Sequence, residues 1–275
     1  MMIIDSHLHV WSNDTETYPF AEGRHTDEAG SAELLLETME ANGVSHSVIV
    51  QPIHYVYDNQ YVADVLKKYP GKFAAMGIMD RHAPDAPDQL ERLVKEDGFS
   101  GLRMHLSRPD DAAEWAAPDQ DPIWQKAEEL GSGFLSFGPA EKLPAIEPII
   151  ARYPNVKVVL DHLGGAPTLE EAPYPLLQNV LNLAKYPNVY VKFTPQAGQS
   201  KEEFPLSDTH ATYERLYDVF GPQRLMWGTD FPHIFRNIGY KNGIAIFRDH
   251  MPFLSEDDKE WLFAKTALSV WSFGD

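Results

Sequence analysis

Two histidines close to the start of the chain are the first residues whose type and spacing could do chemistry. His7 and His9 alternate with Leu8 and Val10 in a short apolar run typical of a strand. Because strand side chains repeat every second residue, both imidazoles are expected on the same face. Two imidazoles on one rigid strand provide half of a metal site or an anion clamp.

A carboxylate near the other end of the chain could complete this site. Residues 224–228 form an apolar strand pattern that ends in glycine, and Asp230 follows just before Phe231 and Pro232. Proline stops strand pairing, so Asp230 is expected at the C-terminal tip of a strand. Together with His7 and His9 it makes a three-ligand set for a divalent cation.

Other strand patterns in the middle of the chain also end in basic or imidazole groups. These groups are Arg103, His105, His162 and Lys192. We expect Arg103 and His162 in the catalytic set, and His105 and Lys192 in contact with substrate. If strand alternation continues to the end of its run, Asp161 points away from His162 and is structural. Trp11, directly after His9, and His233, directly after Pro232, are expected beside the ligand.

Eight apolar strand patterns alternate with eight helical patterns and must position these residues. The strands are predicted at Ile3–Val10, His46–Gln51, Phe73–Met79, Gly101–Leu106, Phe134–Phe137, Val158–His162, Val189–Phe193 and Leu225–Gly228. The helices are predicted near Ala32–Ala41, Gln60–Lys68, Pro87–Glu96, Pro122–Leu130, Ala140–Arg152, Pro175–Lys185, Thr209–Val219 and Glu256–Ser269. This alternation predicts a (β/α)8 barrel of the TIM type, whose strand C-termini form the catalytic face. A doubly wound sheet usually has fewer strands and a glycine-rich turn after the first, which this chain lacks.

Length and composition limit the classes of protein that fit. The 275 residues show no linker or low-complexity tract, so we expect one domain over residues 1–275. The net charge of −18, from 41 acidic and 23 basic residues, disfavours nucleic acid and anionic membranes as partners. With no cysteine in the chain, any metal must be held by nitrogen and oxygen ligands.

The sequence also carries expectations about location and assembly. It begins directly with a strand pattern, and no apolar run approaches the roughly 20 residues of a membrane helix. We therefore expect a cytoplasmic protein that acts on a small molecule. A homo-oligomer is compatible with the sequence, and the pattern alone does not decide it.

The chain resembles the amidohydrolase superfamily, and within it the amidohydrolase-related group that includes lactonases of sugar acids and of pyrone dicarboxylate. The resemblance covers nearly the whole chain. It is carried by the motifs DSHLHVW at 5–11, GLRMHL at 101–106, LDHLGG at 160–165, VYVKF at 189–193 and MWGTDFPH at 226–233. It implies a (β/α)8 barrel and hydrolysis of a lactone, a sugar-acid lactone ahead of a muconolactone or pyrone-type lactone.

The fifth strand departs from the pattern of metal-dependent relatives, which often carry a histidine or a carboxylated lysine there. In this chain Ser136 is the polar residue of that strand. The resemblance then implies a single divalent ion, Zn²⁺ or Mn²⁺, on His7, His9 and Asp230, with His162 or water completing the shell. A metal-free site stays open as an alternative, in which Asp230 is the general base and Arg103 and the histidines bind the substrate.

Ester hydrolysis needs an activated water, a polarised carbonyl and a proton carrier. A metal would serve the first two needs, Asp230 would carry the proton, and His162 or Arg103 would stabilise the oxyanion. Two other function classes remain open at this point, a metal-dependent decarboxylase and a non-enzymatic ligand-binding barrel. The polar segments 13–30 and 194–207 are expected to be lids over the site.

Overall fold

A computed structural model describes residues 1–274 as an eight-stranded parallel barrel surrounded by helices. The strands are β1 (Ile4–Leu8), β2 (His46–Val50), β3 (Phe73–Met76), β4 (Gly101–His105), β5 (Gly133–Phe137), β6 (Lys157–Leu160), β7 (Val189–Phe193) and β8 (Leu225–Trp227). The helices are α1 (Ala32–Asn42), α2 (Gln60–Lys68), α3 (Ala86–Lys95), α4 (Asp111–Ala116), α5 (Asp121–Leu130), α6 (Leu143–Arg152), α7 (Pro175–Leu181), α8 (His210–Phe220), α9 (Tyr240–Asp249), α10 (Glu256–Glu260) and α11 (Thr266–Val270). None of the helices in residues 1–274 is long and apolar enough to cross a membrane.

The strands form two parallel sheets that meet at two seams. One sheet contains β1, β2 and β3, and the other contains β4 to β8 in sequence order. Parallel bridges between Leu8 and Phe231 and between Gly77 and Leu102 join the two sheets. At the first seam the amide of His9 donates to the carbonyl of Phe231 over 2.8 Å. The predicted (β/α)8 barrel is therefore confirmed, with β8 lying beside β1.

Apolar side chains fill the barrel and the layer between the strands and the helices. The interior cluster consists of buried residues from six strands and the C-terminal segment, among them Ile4, Val48, Val50, Met76, Leu135, Val159 and Met226. A larger cluster packs the outer faces of the strands against the helices. Inward-facing residues close to the strand C-termini are polar instead. The candidate site residues therefore lie above the apolar interior cluster.

An irregularity in β1 decides which of its residues face inward. The pairing register between β1 and β2 shifts between Asp5 and Leu8. Ile4 points into the barrel interior, whereas Leu8 packs on the outer side. In a regular strand, residues 4 and 7 would face opposite sides. The irregularity between Asp5 and Leu8 changes this alternation, so Ile4, His7 and His9 all face the interior.

Two helices differ from the sequence-based expectation. The six-residue α4 lies in a segment without clear helical periodicity, and α9 was missed because Gly243 interrupts its apolar pattern. Glycine suits this position because a Cβ there would lie only 2.4 Å from Cδ1 of Ile234. The carbonyl of Gly243 also accepts a hydrogen bond of 3.0 Å from Nε1 of Trp227. The eighth barrel helix is thus α9, and α10 and α11 extend beyond it, joined by a π-helical turn at Trp261–Lys265.

Gly101 at the start of β4 provides a test of this architecture. Its φ is 150°, and a Cβ there would lie 2.0 Å from the carbonyl oxygen of Gly133 on β5. We expect Gly101→Ala to lower the free energy of unfolding by more than about 2 kcal/mol, because the two strands must separate. Gly43→Ala is the control, since φ is 70° there but nothing lies within 4 Å, and it should cost only about 1 kcal/mol. Equal losses in urea denaturation would contradict the close strand approach.

Candidate active site at the C-terminal ends of the strands

The three predicted metal ligands converge at the seam between β1 and β8. Nε2 of His7 lies 3.6 Å from Oδ1 of Asp230, and Nε2 of His9 lies 3.4 Å from the same oxygen. One ligand atom from each residue lies within 4.8 Å of the other two. A tetrahedral ion with bonds of about 2.0–2.1 Å needs donors roughly 3.3 Å apart. The spacing of these donors suits one cation.

Two of these donor atoms have no other partner, which is the evidence that the residues fit a metal. Nε2 of His7 and Oδ1 of Asp230 are buried and make no hydrogen bond within residues 1–274. Nδ1 of His9 lies 2.7 Å from the carbonyl oxygen of Val50 and donates to it, so Nε2 carries the lone pair toward Asp230. Burial lowers the pKa of both His7 and His9. Neutral imidazoles and a carboxylate are a donor set for zinc or manganese.

The position of Asp230 depends on the loop that follows β8. Asp230 adopts a left-handed backbone conformation with a φ of 62°, and its amide donates to the carbonyl of His7 over 2.8 Å. Buried Asp5 holds the adjacent turn through the amide and hydroxyl of Thr229, at 2.9 and 2.5 Å, and the hydroxyl of Tyr240. Burial by itself would raise the pKa of Asp230, but the neighbouring imidazoles of His9, His162 and His7 lower it. The carboxylate is therefore ionised and able to bind a cation.

Behind His7 lies Asp161, a buried carboxylate. Its Oδ1 lies 3.1 Å from Nδ1 of His7 and 3.0 Å from Nζ of Lys192, and its Oδ2 accepts a 2.9 Å hydrogen bond from Nε of Arg103. Burial by itself would raise the pKa of Asp161, but the charges of Lys192 and Arg103 hold it well below its usual range. Nζ of Lys192 also lies 3.1 Å from Nδ1 of His7. Because Nε2 of His7 makes no hydrogen bond within residues 1–274, we assign the hydrogen to Nδ1, which donates it to Asp161 and leaves the lone pair of Nε2 for the expected metal position.

The prediction that Lys192 contacts substrate needs correction. Its side chain is fully buried, and its Nζ contacts Asp161, Nδ1 of His7 and the ring of Trp271 rather than the cavity. Burial lowers the pKa of Lys192 to about 8, an effect that Asp161 opposes. Its place in the interior follows from the strand alternation of β7. Lys192 therefore supports the ligand network from below and does not reach a bound molecule.

The remaining predicted site residues surround one cavity of about 590 Å³ above the three ligands. Its wall includes Trp11, Arg103, His105, His162, Asp230 and His233. Nδ1 of His162 lies 2.9 Å from Oγ1 of Thr194, and its ring centroid lies 4.4 Å from that of His7. Burial and the charge of Arg103 lower the pKa of His105 to about 3, and its Nε2 makes no hydrogen bond within residues 1–274. His105 is thus a neutral group available to a ligand.

The cavity is rich in positive charge although the chain as a whole is acidic. Four arginines and two aspartates line it: Arg24, Arg81, Arg103, Arg108, Asp111 and Asp230. Asp111 pairs with Arg81 at 3.2 Å and with Arg108 at 2.8 Å, and Arg81 also contacts Glu114. Arg24 makes no ion pair within residues 1–274, and Arg103 shares the single carboxylate of Asp161 with Lys192. Arg24 therefore offers an unpaired positive charge to a ligand, and the two cations on the single carboxylate of Asp161 leave one excess positive charge beside Arg103.

Sequence reasoning missed three residues that shape the site. Asp161 was expected to be structural on the assumption that β6 continues through it, but the strand ends at Leu160. The chain then turns into a short 3₁₀ segment in which His162 has a φ of 49°, so both residues face the centre of the barrel. Arg24 and Glu28 lie in the segment 13–30, and no local pattern there indicates which side chains reach the cavity.

The two predicted lid segments lie on different sides of the site. Segment 13–30 contributes Arg24 to the main cavity. Segment 194–207 contributes Gln196 and Gln199 to a second cavity of about 190 Å³, which also borders His162, Asp230 and His233. Their movement stays a prediction, but both segments provide walls of the site.

A parallel (β/α)8 barrel with polar side chains gathered at the C-terminal ends of its strands is the architecture of a large class of enzymes. The chain belongs to the amidohydrolase family, whose family model matches residues 4–273. It is 26% identical over 236 residues to an L-fucono-1,5-lactonase of Burkholderia ambifaria, covering 83% of this chain and 80% of that protein. It is 25% identical over 230 residues to a 4-sulfomuconolactone hydrolase of Hydrogenophaga intermedia, covering 83% of this chain and 74% of that protein.

Solved structures agree with this assignment of the fold. An amidohydrolase of Burkholderia multivorans with bound zinc superposes with a TM-score of 0.79 at 23% identity, covering 98% of this chain and 99% of that one. The likeness extends along the whole chain and confirms the fold expected from the resemblance.

The role of Asp161 in holding His7 can be tested through metal affinity. We expect Asp161→Asn to weaken Zn²⁺ binding about 10- to 100-fold, because His7 loses its anionic acceptor. Titration against a chromophoric chelator measures this, with circular dichroism to verify folding. Asp111→Asn is the matched control, because Asp111 is also buried and ion-paired but does not touch a ligand. Equal weakening in both variants would contradict a specific role for Asp161.

Proposed function

We propose that this protein is a metal-dependent hydrolase that opens a lactone bearing a free carboxylate. The observation that carries the proposal is the convergence of His7, His9 and Asp230 on one point at the floor of an arginine-lined cavity. The names of the two curated relatives above, both lactone hydrolases, support the reaction class. Zinc in the related Burkholderia multivorans structure supports a divalent ion, and zinc ahead of manganese is our choice.

The residues divide the work of ester hydrolysis among them. A bound divalent cation would lower the pKa of a water molecule and polarise the lactone carbonyl. Asp230 accepts a proton from the attacking water and returns it to the ring oxygen as the carbon–oxygen bond breaks, so that water and lactone become a hydroxy acid. His162 and Arg103 line the same cavity and stabilise the negative charge that develops on the carbonyl oxygen.

The distribution of charge favours an anionic substrate. Arg103 is fixed by Asp161 through Nε, and its guanidinium packs over the ring of Phe137 at 4.1 Å, so its orientation is set before a ligand binds. Arg24 lies on the segment that covers the cavity and is unpaired within residues 1–274. A guanidinium binds a carboxylate through charge-assisted hydrogen bonds. A lactone with a carboxylate substituent therefore matches this cavity better than a neutral lactone.

A panel of lactones with and without a carboxylate is the direct test of the reaction. We expect release of one acid equivalent per turnover, measured by pH-stat, with activity lost on chelation and restored by Zn²⁺ or Mn²⁺. Release of carbon dioxide from a carboxylated aromatic compound would instead indicate the decarboxylase alternative. Binding without turnover on any member of the panel would indicate a ligand-binding barrel.

Cytoplasmic location and oligomeric state stay predictions of the sequence.

Substitution of the aspartate tests its role as the proton carrier. We expect Asp230→Asn to lower kcat for lactone hydrolysis by at least about 100-fold, because an amide cannot accept the water proton. Stopped assays measure residual turnover, with metal content and the urea midpoint determined on the same preparation. A variant that folds and keeps more than a tenth of the activity would refute the assignment.

Arg24 and Arg108 both line the main cavity, and together they allow a matched test of substrate charge. We expect Arg24→Met to raise KM for a carboxylated lactone about 10-fold or more, because a charge-assisted hydrogen bond is lost. Arg108→Met should have a smaller effect, since Asp111 already neutralises Arg108. The effect of Arg24→Met should vanish on a neutral lactone. Equal changes on both lactones would contradict recognition of the carboxylate.

A further inference from the structure

Glu28 links the segment 13–30 to the catalytic cavity. Its Oε2 lies 2.8 Å from Nδ1 of His233 and 2.5 Å from Nη2 of Arg236, whose Nε contacts Oε1. Its backbone carbonyl accepts a 2.7 Å hydrogen bond from Nε1 of Trp11. The carboxylate is only about one quarter exposed. One residue of a covering segment thus holds two groups of the cavity wall, Trp11 and His233.

His233 lies beside the proposed metal ligands, and one of its ring nitrogens makes no hydrogen bond within residues 1–274. Its ring centroid lies 5.8 Å from that of His9 and 5.9 Å from that of Trp11. Glu28 is an anionic acceptor, so Nδ1 of His233 carries a hydrogen and donates it. In this tautomer Nε2 is the ring nitrogen that carries a lone pair and accepts hydrogen bonds. A hydroxyl group is the substrate substituent that such an atom recognises.

The second cavity has the same chemical preference. It borders His162, Asp230 and His233 and is lined on its far side by the amide side chains of Gln196, Gln199 and Asn237. In contrast to the main cavity, the second cavity has no arginine in its lining, which combines these amides with apolar residues. Nε2 of Gln196 donates to Oγ1 of Thr194, and Nε2 of Gln199 donates to Oε1 of Gln196, each over 2.9 Å. These bonds hold both side chains in place. The site therefore has one wall suited to carboxylate and one suited to hydroxyl groups.

We propose that Glu28 is a positioning residue that fixes the orientation and tautomer of His233, whose Nε2 accepts a hydrogen bond from a substrate hydroxyl close to the lactone carbonyl. This inference rests on the proposed lactone hydrolysis and narrows its substrate to a carboxylated lactone that also carries hydroxyl groups. Lactones of sugar diacids have both features. Lactones derived from muconate have the carboxylate without the hydroxyl.

The test compares two carboxylated lactones that differ only in the hydroxyl next to the carbonyl. We expect Glu28→Ala to lower kcat/KM about 10- to 100-fold for the hydroxylated lactone and less than about threefold for its deoxy analogue. Glu28→Gln should recover part of the loss, because its amide oxygen can still accept from Nδ1. Arg236→Met is the matched control, since it removes the other partner of Glu28 and leaves His233 in place. Its kcat/KM should stay within about threefold of the unmodified protein.

A double-mutant cycle separates positioning of His233 from general support of the segment. In a His233→Gln background, Glu28→Ala should cause little additional loss of kcat/KM. Equal losses on the two lactones, or full additivity with His233→Gln, would overturn the proposal. Metal content measured on each variant should be unchanged, because neither residue is a ligand.

A spectroscopic measurement keeps this inference distinct from the proposed function. In ¹⁵N-histidine-labelled protein, long-range ¹H–¹⁵N spectra assigned with His233→Gln should show His233 as the Nδ1–H tautomer, and Glu28→Ala should abolish that preference. If no lactone is hydrolysed but the tautomer depends on Glu28, the proposed reaction fails and the positioning role stands. If lactones are hydrolysed and the tautomer does not depend on Glu28, the positioning role fails alone.

Discussion

The buried carboxylate of Asp161 is the interaction on which the rest of the active site depends. A charge in the interior of a barrel is costly unless it is paired and hydrogen-bonded. The carboxylate oxygens of Asp161 lie 2.9–3.1 Å from nitrogens of Lys192, Arg103 and His7. These contacts offset the free-energy cost of burying the charges. The same contacts orient His7 toward the metal position and leave the rest of the Arg103 guanidinium facing the cavity. Removing the carboxylate would leave two buried cations together.

The seam between the first and last strands brings distant parts of the chain into one site. Gly228 allows this approach, since a Cβ at that position would lie 2.8 Å from the backbone nitrogen and the Cβ of His7. Asp5 on β1 also holds the loop after β8 through Thr229 and the start of α9 through Tyr240. Closure of the barrel and assembly of the ligand set are therefore one structural event, because the final strand must pair before Asp230 reaches the histidines.

Much of the fold, and the convergence of His7, His9 and Asp230, could be predicted from the sequence for physical reasons. Strand alternation places His7 and His9 on one face, and the turn residues after β8 put Asp230 at a strand tip. The alternation argument failed at Asp161 because it requires a continuous strand, and β6 ends one residue earlier. Lys192 was expected beside the substrate, but the sequence does not show how deep in the barrel its amine lies. Glu28 and Arg24 depend on loop geometry, which has no periodic signal in sequence.

The most direct test of the central claim is an anomalous-scattering experiment on crystals grown with Zn²⁺, with data collected on both sides of the zinc absorption edge. We predict one strong anomalous peak per chain between Nε2 of His7, Nε2 of His9 and Oδ1 of Asp230. A zinc-dependent lactonase whose crystals show no peak there, or a peak only at another position, would contradict the proposed centre.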